Sequence, residues 1–159
     1  MLILNDLHTL INKLMNENTY PFTLSRTEYR YEFVSISDKK EVRKIVLLSQ
    51  TGDIGTYNLA LLDLLENGEL SDISETNNDD MITVFATVIK IISDFFNKVP
   101  NSNVVFKGSD KRRQRLYRII IGKEISEISK KFDVFGGIGD SVFFFEPNTL
   151  YEFYLIKKL

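Results

Sequence analysis

Residues 81–123 read MITVFATVIKIISDFFNKVP, then NSNVVFKGSD, then KRRQRLYRIIIGK, and the fold depends on how that stretch divides. From Met81 apolar residues recur at 84, 85, 88, 91, 92, 95 and 96, with Ile82, Ala86 and Ile89 widening the stripe. This spacing predicts a helix packed on more than one side, in the middle of the domain. Pro100 stops it, and Val104 to Phe106 is a short apolar run typical of a strand inside a sheet. A second helix is expected from near Asp110, entered through Gly108 and Ser109. At about 100° per residue, Tyr117, Ile121, Ile125, Ile128 and Phe132 share one face, opposite Arg112, Arg115 and Lys123. Gly122 interrupts this pattern at a cost of about 1 kcal/mol relative to alanine. The core is thus helix, strand, helix.

Upstream, Ile3, Leu4, Leu7, Leu10, Ile11, Leu14 and Met15 repeat at helical spacing, giving a first helix over 2–16. Residues 29–36 alternate Tyr29, Tyr31, Phe33 with Arg30 and Glu32, a strand with one buried and one wet face. Val42 to Leu48 returns after the turn at Asp38, Lys39 and Lys40, and Tyr57 to Leu65 follows Gly52, Asp53 and Gly55. Short turns favour pairing of neighbours, so these form an antiparallel meander. The polar stretch 69–80 reads as a mobile loop whose end, Asn78 to Asp80, caps the central helix. Downstream, Phe135 to Asp140 reads FGGIGD, a turn, and residues 141–145 and 150–156 read as a terminal hairpin hinged at Pro147 and Asn148. Phe143, Phe144 and Phe145 point to both sides of their strand, which is then either covered twice or an interface for a second copy.

A chain of 159 residues with 43% hydrophobic and 26% charged residues has the size and composition of one globular domain, 1–159. It has no cysteine and a single histidine, His8, which excludes disulfides, thiolate chemistry and multi-histidine metal sites. The amino end has no cationic signal-peptide region and no apolar run reaches about 18 residues, so a soluble, cytoplasmic protein with no membrane association is expected. FGGIGD follows a helix and precedes a strand, the reverse of a dinucleotide-binding loop. No carboxylate spacing marks a metal or acid/base set, and no serine has a nucleophile context. No cofactor is implied.

Charge is unevenly placed. Residues 107–118 carry +5, so the others carry −7 of the total of −2. Ser109, Arg112, Arg113 and Arg115 gather at a helix start, where free backbone N–H groups and guanidinium groups together suit a phosphate or carboxylate. The alternative is that these arginines pair with the acidic stretch 66–80 or lie over apolar surface. Tyr29, Arg30 and Tyr31 could add a stacking surface, but an acidic chain with a pI of 5.5 and no RNP-type motif points away from nucleic acid.

The segments YNLALLD (57–63), VFATV (84–88), VVFKGSDKRRQRLYRI (104–119) and YEFYLIKK (151–158) together resemble a family of short uncharacterised bacterial proteins. That resemblance covers most of the chain and implies no activity. The order helix, three strands, helix, strand, helix, two strands is also similar to the GNAT-type acyl-CoA N-acyltransferase fold. There Leu116 and Tyr117 match the family's Asn–x–x–Ala–x–x–Leu–Tyr stretch, whereas Asp110 and Arg113 depart from it. That likeness implies Tyr117 as proton donor to a departing thiolate. Where the family has its glycine-containing pyrophosphate loop, this chain has ETNNDD (75–80), whose carboxylates would repel the ligand. The expectation is an α+β domain with a mainly antiparallel twisted sheet and packed helices. Functionally it is a non-catalytic domain whose basic helix start engages an anionic ligand or protein, with a divergent acyltransferase as the alternative.

Overall fold

A computed structural model describes residues 18–25, 29–38, 40–71 and 80–159. The expected helix over 2–16, with His8, and most of the acidic stretch lie outside the described residues. Within them the chain is α+β, with two helices and a mostly antiparallel sheet. The elements are β1 (Phe22–Ser25), β2 (Tyr29–Ile36), β3 (Glu41–Gln50), β4 (Thr56–Leu64), β5 (Leu70–Ser71), α1 (Met81–Lys98), β6 (Asn103–Phe106), α2 (Lys111–Ile128), β7 (Phe132–Ile138), β8 (Ser141–Phe144) and β9 (Phe153–Lys158). The sheet order is β1-β2-β3-β4-β6-β9-β7-β8, with β5 paired to the far end of β4.

The meander is present as read, with Tyr31 opposite Val46 and Val46 opposite Leu61. These residues share one face with Tyr57, Val104, Ile156 and Val134. Both helices pack on that face. Phe95 of α1 meets the ring of Tyr57 at 4.9 Å, Phe96 meets Phe132 at 5.9 Å, and Tyr117 of α2 meets Phe106 at 5.8 Å. Ten of the residues of α1 are buried, as the wide apolar stripe requires. The connection through α1 makes β4 and β6 parallel, and they pair only where Thr56–Asn58 meets Asn103–Val105.

Three expectations change at the carboxyl-terminal half. Phe132 does not extend the second helix, which gives way after Ile128 to a turn, and it begins β7 instead. FGGIGD is not a turn throughout: Phe135 to Ile138 continue β7, and only Gly139 and Asp140 turn the chain into β8. The expected hairpin of the last two strands is replaced by β7 with β8, while β9 inserts between β6 and β7. The glycines explain why: a Cβ on Gly136 would fall within the Tyr151 ring, and one on Gly137 within the Phe153 ring. Their absence lets two aromatic rings cover β7, one on each face, a substitution of ring for side chain that strengthens a glycine-bearing strand. With β1, β5 and β7 added, the element order differs from the one read from the sequence.

Asp80 also departs from expectation. It precedes α1 but makes no side-chain cap bond. Its Oδ2 instead accepts from the hydroxyls of Tyr20 and Ser35, at 2.6 and 2.5 Å, tying the helix start to β2 and the segment before β1. No helix of the described residues is long and apolar enough to cross a membrane.

Candidate functional site

The start of α2 is built by Gly108, Asp110 and Gln114. A Cβ at Gly108 would overlap the backbone of Arg113 and Gln114, so only glycine lets β6 run this close to the helix it feeds. Asp110 is the N-cap, its Oδ1 accepting from the Arg113 N–H at 2.8 Å. Gln114 is a staple. Its Oε1 accepts from the Gly108 N–H at 2.6 Å, and its Nε2 donates to the Tyr151 carbonyl at 2.9 Å. The Tyr154 hydroxyl donates to the Gln114 backbone carbonyl at 3.3 Å. Helix, strand exit and the segment leading into β9 are thereby fixed to one another.

The basic residues do not stay together. Arg113 turns towards the cap, its Nη1 donating to Ser109 Oγ at 2.6 Å and lying 3.7 Å from Asp110 Oδ2. Arg112 is exposed on the outer side of the helix. Arg115, about 60° round the helix from Arg112, joins Lys111 and Arg118, and the three line a cleft of about 540 Å³ with Gln114, Leu150, Tyr151, Glu152 and Tyr154. The spacing 111, 115, 118 is i, i+4, i+7, one stripe of a helix. Asp110 and Glu152 also line the cleft, but Asp110 is engaged with Arg113 and Glu152 Oε2 accepts from the Gly139 N–H at 3.1 Å. Lys111 and Arg118 were not singled out from the sequence, although their helical spacing from Arg115 was there to be read.

Tyr117 lies on another side of α2, its ring between Phe106 at 5.8 Å and Phe85 at 6.4 Å. Burial raises its pKa; Arg113 pulls it down, while Asp110 and Asp63 push it up again. Asp63 belongs to a second polar group, a buried pair with Lys44 at 2.5 Å. The two residues face each other across β3 and β4. Aligning the two strands as a meander would have placed them together, since each interrupts an otherwise apolar face. Glu124 is the third buried charge, 7% exposed, with no hydrogen-bond partner for its Oε2. Burial pushes its pKa up to about 7, helped by Glu127 and opposed by Lys123. No group of three or more metal-ligating side chains occurs among the described residues.

On β8, Phe143 and Phe144 are 52% and 70% exposed, while Phe145, just past the strand, is buried. No curated protein and no solved structure matches the chain. Residues 16–159 match the model of a family described as a family of unknown function (DUF6934), and the chain belongs to that family.

Proposed function

We propose that this protein is a non-catalytic binding domain that engages an anionic ligand or protein partner at the start of α2; of Ser109, Arg112, Arg113 and Arg115, Arg115 is the one that lines the cleft there, beside Lys111 and Arg118. The observation that carries this reading is the cleft: Lys111, Arg115 and Arg118 line it with no ion-pair partner among the described residues, three cations against the two carboxylates of Asp110 and Glu152. Such a stripe attracts anions through charge and through the guanidinium fork. The test is a titration with inorganic pyrophosphate at low and high salt, using the natural chain and Arg112→Glu/Arg115→Glu. Binding that weakens with salt and is lost in the variant supports the reading; binding indifferent to both removes it.

The alternative is a divergent acyl-CoA-dependent N-acyltransferase. One feature favours it: β4 loses its parallel partner β6 beyond Asn58, and the Lys44–Asp63 pair lies further along β4, with Asp63 close enough to influence Tyr117. In that reading a neutral amine attacks the thioester carbonyl, the C–S bond breaks, the leaving thiolate takes a proton from the Tyr117 hydroxyl, which burial keeps protonated, and the surplus proton on the amine nitrogen returns to the tyrosinate through solvent. A calorimetric titration with acetyl-CoA that shows no heat of binding disposes of it. Self-association through the strand carrying Phe143 and Phe144 is compatible with either reading, since both rings are exposed, one on each face of an edge strand.

A further inference from the structure

We infer that β8 is the docking site for a second copy of this chain, the two β8 strands pairing antiparallel about a two-fold axis at Phe143. This goes beyond the anion-binding reading and does not depend on it; it gives self-association a register.

The backbone comes first. In the hairpin of β7 with β8 the Phe145 N–H donates to the Val134 carbonyl at 3.0 Å. Antiparallel strands alternate bonded and non-bonded pairs, so Gly136 with Phe143 and Ile138 with Ser141 are the next bonded pairs. Gly137, opposite Val142, turns its carbonyl the other way and accepts from the Glu152 N–H at 2.8 Å. The N–H and C=O groups of Val142 and Phe144 therefore point away from β7, and no strand lies on that side among the described residues. The Phe144 carbonyl meets the Tyr151 hydroxyl at 3.4 Å, a long contact that leaves it a second lone pair.

The occupant follows from the spacing of those groups. Val142 and Phe144 stand one residue either side of Phe143. A copy turned by 180° about an axis through the sheet at Phe143 sets Val142 opposite Phe144 and Phe144 opposite Val142. Four N–H···O bonds then pair every outward group of these residues. Side chains match as well. Phe143 meets its own counterpart on the helix-covered face, while Phe144 meets Val142, itself 44% exposed, on the other face. No charged residue lies within β8 to face its own like. Asp140 and Glu146 do come opposite each other at both ends. The exposed parts of Val142, Phe143 and Phe144 amount to roughly 300 Å² per copy, against about 800 Å² for a standard interface. Small area and like charges at the ends make this a weak dimer, with a dissociation constant on the order of 100 µM.

The experiment is sedimentation velocity on the full chain from about 5 to 500 µM, at low and high salt. Monomer giving way to dimer and to nothing larger is expected, because an isologous contact closes on itself. Added salt should tighten the dimer about threefold or more by screening Asp140 from Glu146. Val142→Pro removes an outward N–H, costs β7 no bond and keeps both phenylalanines, and should weaken the dimer about tenfold or more. A cross-link decides the matter if that variant does not fold. The chain has no cysteine. At the axis the two residues 143 form a non-bonded pair with Cα atoms about 4.5 Å apart, within disulfide range. Phe143→Cys should therefore oxidise to a covalent dimer about tenfold faster than Ile36→Cys, an exposed position on β2. A chain that stays monomeric, assemblies beyond the dimer, a dimer loosened by salt, a folded Val142→Pro that associates like the natural chain, or equal oxidation of the two cysteine variants overturns the inference. So does slow amide exchange at Val142 and Phe144 in the dilute monomer, since the edge is then already covered within one chain.

Discussion

Glu124 is the residue whose environment most disagrees with its chemistry. Its carboxyl is buried with one oxygen unpartnered, and its pKa is raised from 4.5 to about 7. A raised carboxyl pKa means that the folded state holds the proton more strongly than the unfolded state does. Stability is then lost as pH climbs from about 4.5 to 7, with the full penalty present above 7. Glu124→Gln removes the titration. Urea unfolding at pH 5 and pH 8 should show the natural chain losing on the order of 2 kcal/mol that the variant keeps. Gln114→Ala should cost about 1–3 kcal/mol in the same assay, because it leaves the Gly108 N–H and the Tyr151 carbonyl without their partner. Neither residue was conspicuous in the sequence. A glutamate or glutamine on a charged helix looks solvated, and only the packing around α2 reveals which ones turn inward. The arginines were conspicuous, but adjacency in sequence hid their separation: at helical geometry Arg112 and Arg115 lie about 60° apart, whereas Arg113 points to nearly the opposite side from Arg115.

At the scale of elements, the strands that were legible are those whose side chains alternate. β2, β3 and β4 carry their pattern in their own residues, and α1 carries its wide stripe in the same way. β7 does not. Two of its seven residues are glycines whose missing side chains are supplied by Tyr151 and Phe153, so its pattern is written partly in another strand and the segment before it. Gly136→Ala and Gly137→Ala should accordingly destabilise by several kcal/mol, roughly 3 or more, since a ring must leave its seat. Gly122→Ala tests the opposite sign. It lies inside α2, where a Cβ would meet Pro147 at 3.7 Å, an ordinary contact, so the substitution should stabilise by up to about 1 kcal/mol in thermal unfolding.

Across the whole molecule, the sheet has one helix-covered face and a second face on which β8 and its neighbours present Phe135, Val142, Phe144, Phe153 and Leu155. The Phe144 ring lies 4.8 Å from that of Phe135 at a tilt of 31°, and Lys157 lies 5.5 Å from the Phe135 ring. β8 is an edge strand with neither proline nor charge, the two devices that usually keep an edge from pairing. Phe144→Lys should therefore reduce concentration-dependent association in light scattering while changing unfolding free energy by no more than about 0.5 kcal/mol. The α+β class and the identity of most elements could be read from local pattern. The pairing order could not, because it depends on contacts between distant parts of the chain. β9 is the extreme case. It is last in chain order among the described strands, yet it is the seam between the β1–β6 part and the β7–β8 pair. As the polypeptide emerges during synthesis, two incomplete half-sheets must wait side by side with raw edges until residues 153–158 appear and zip them together.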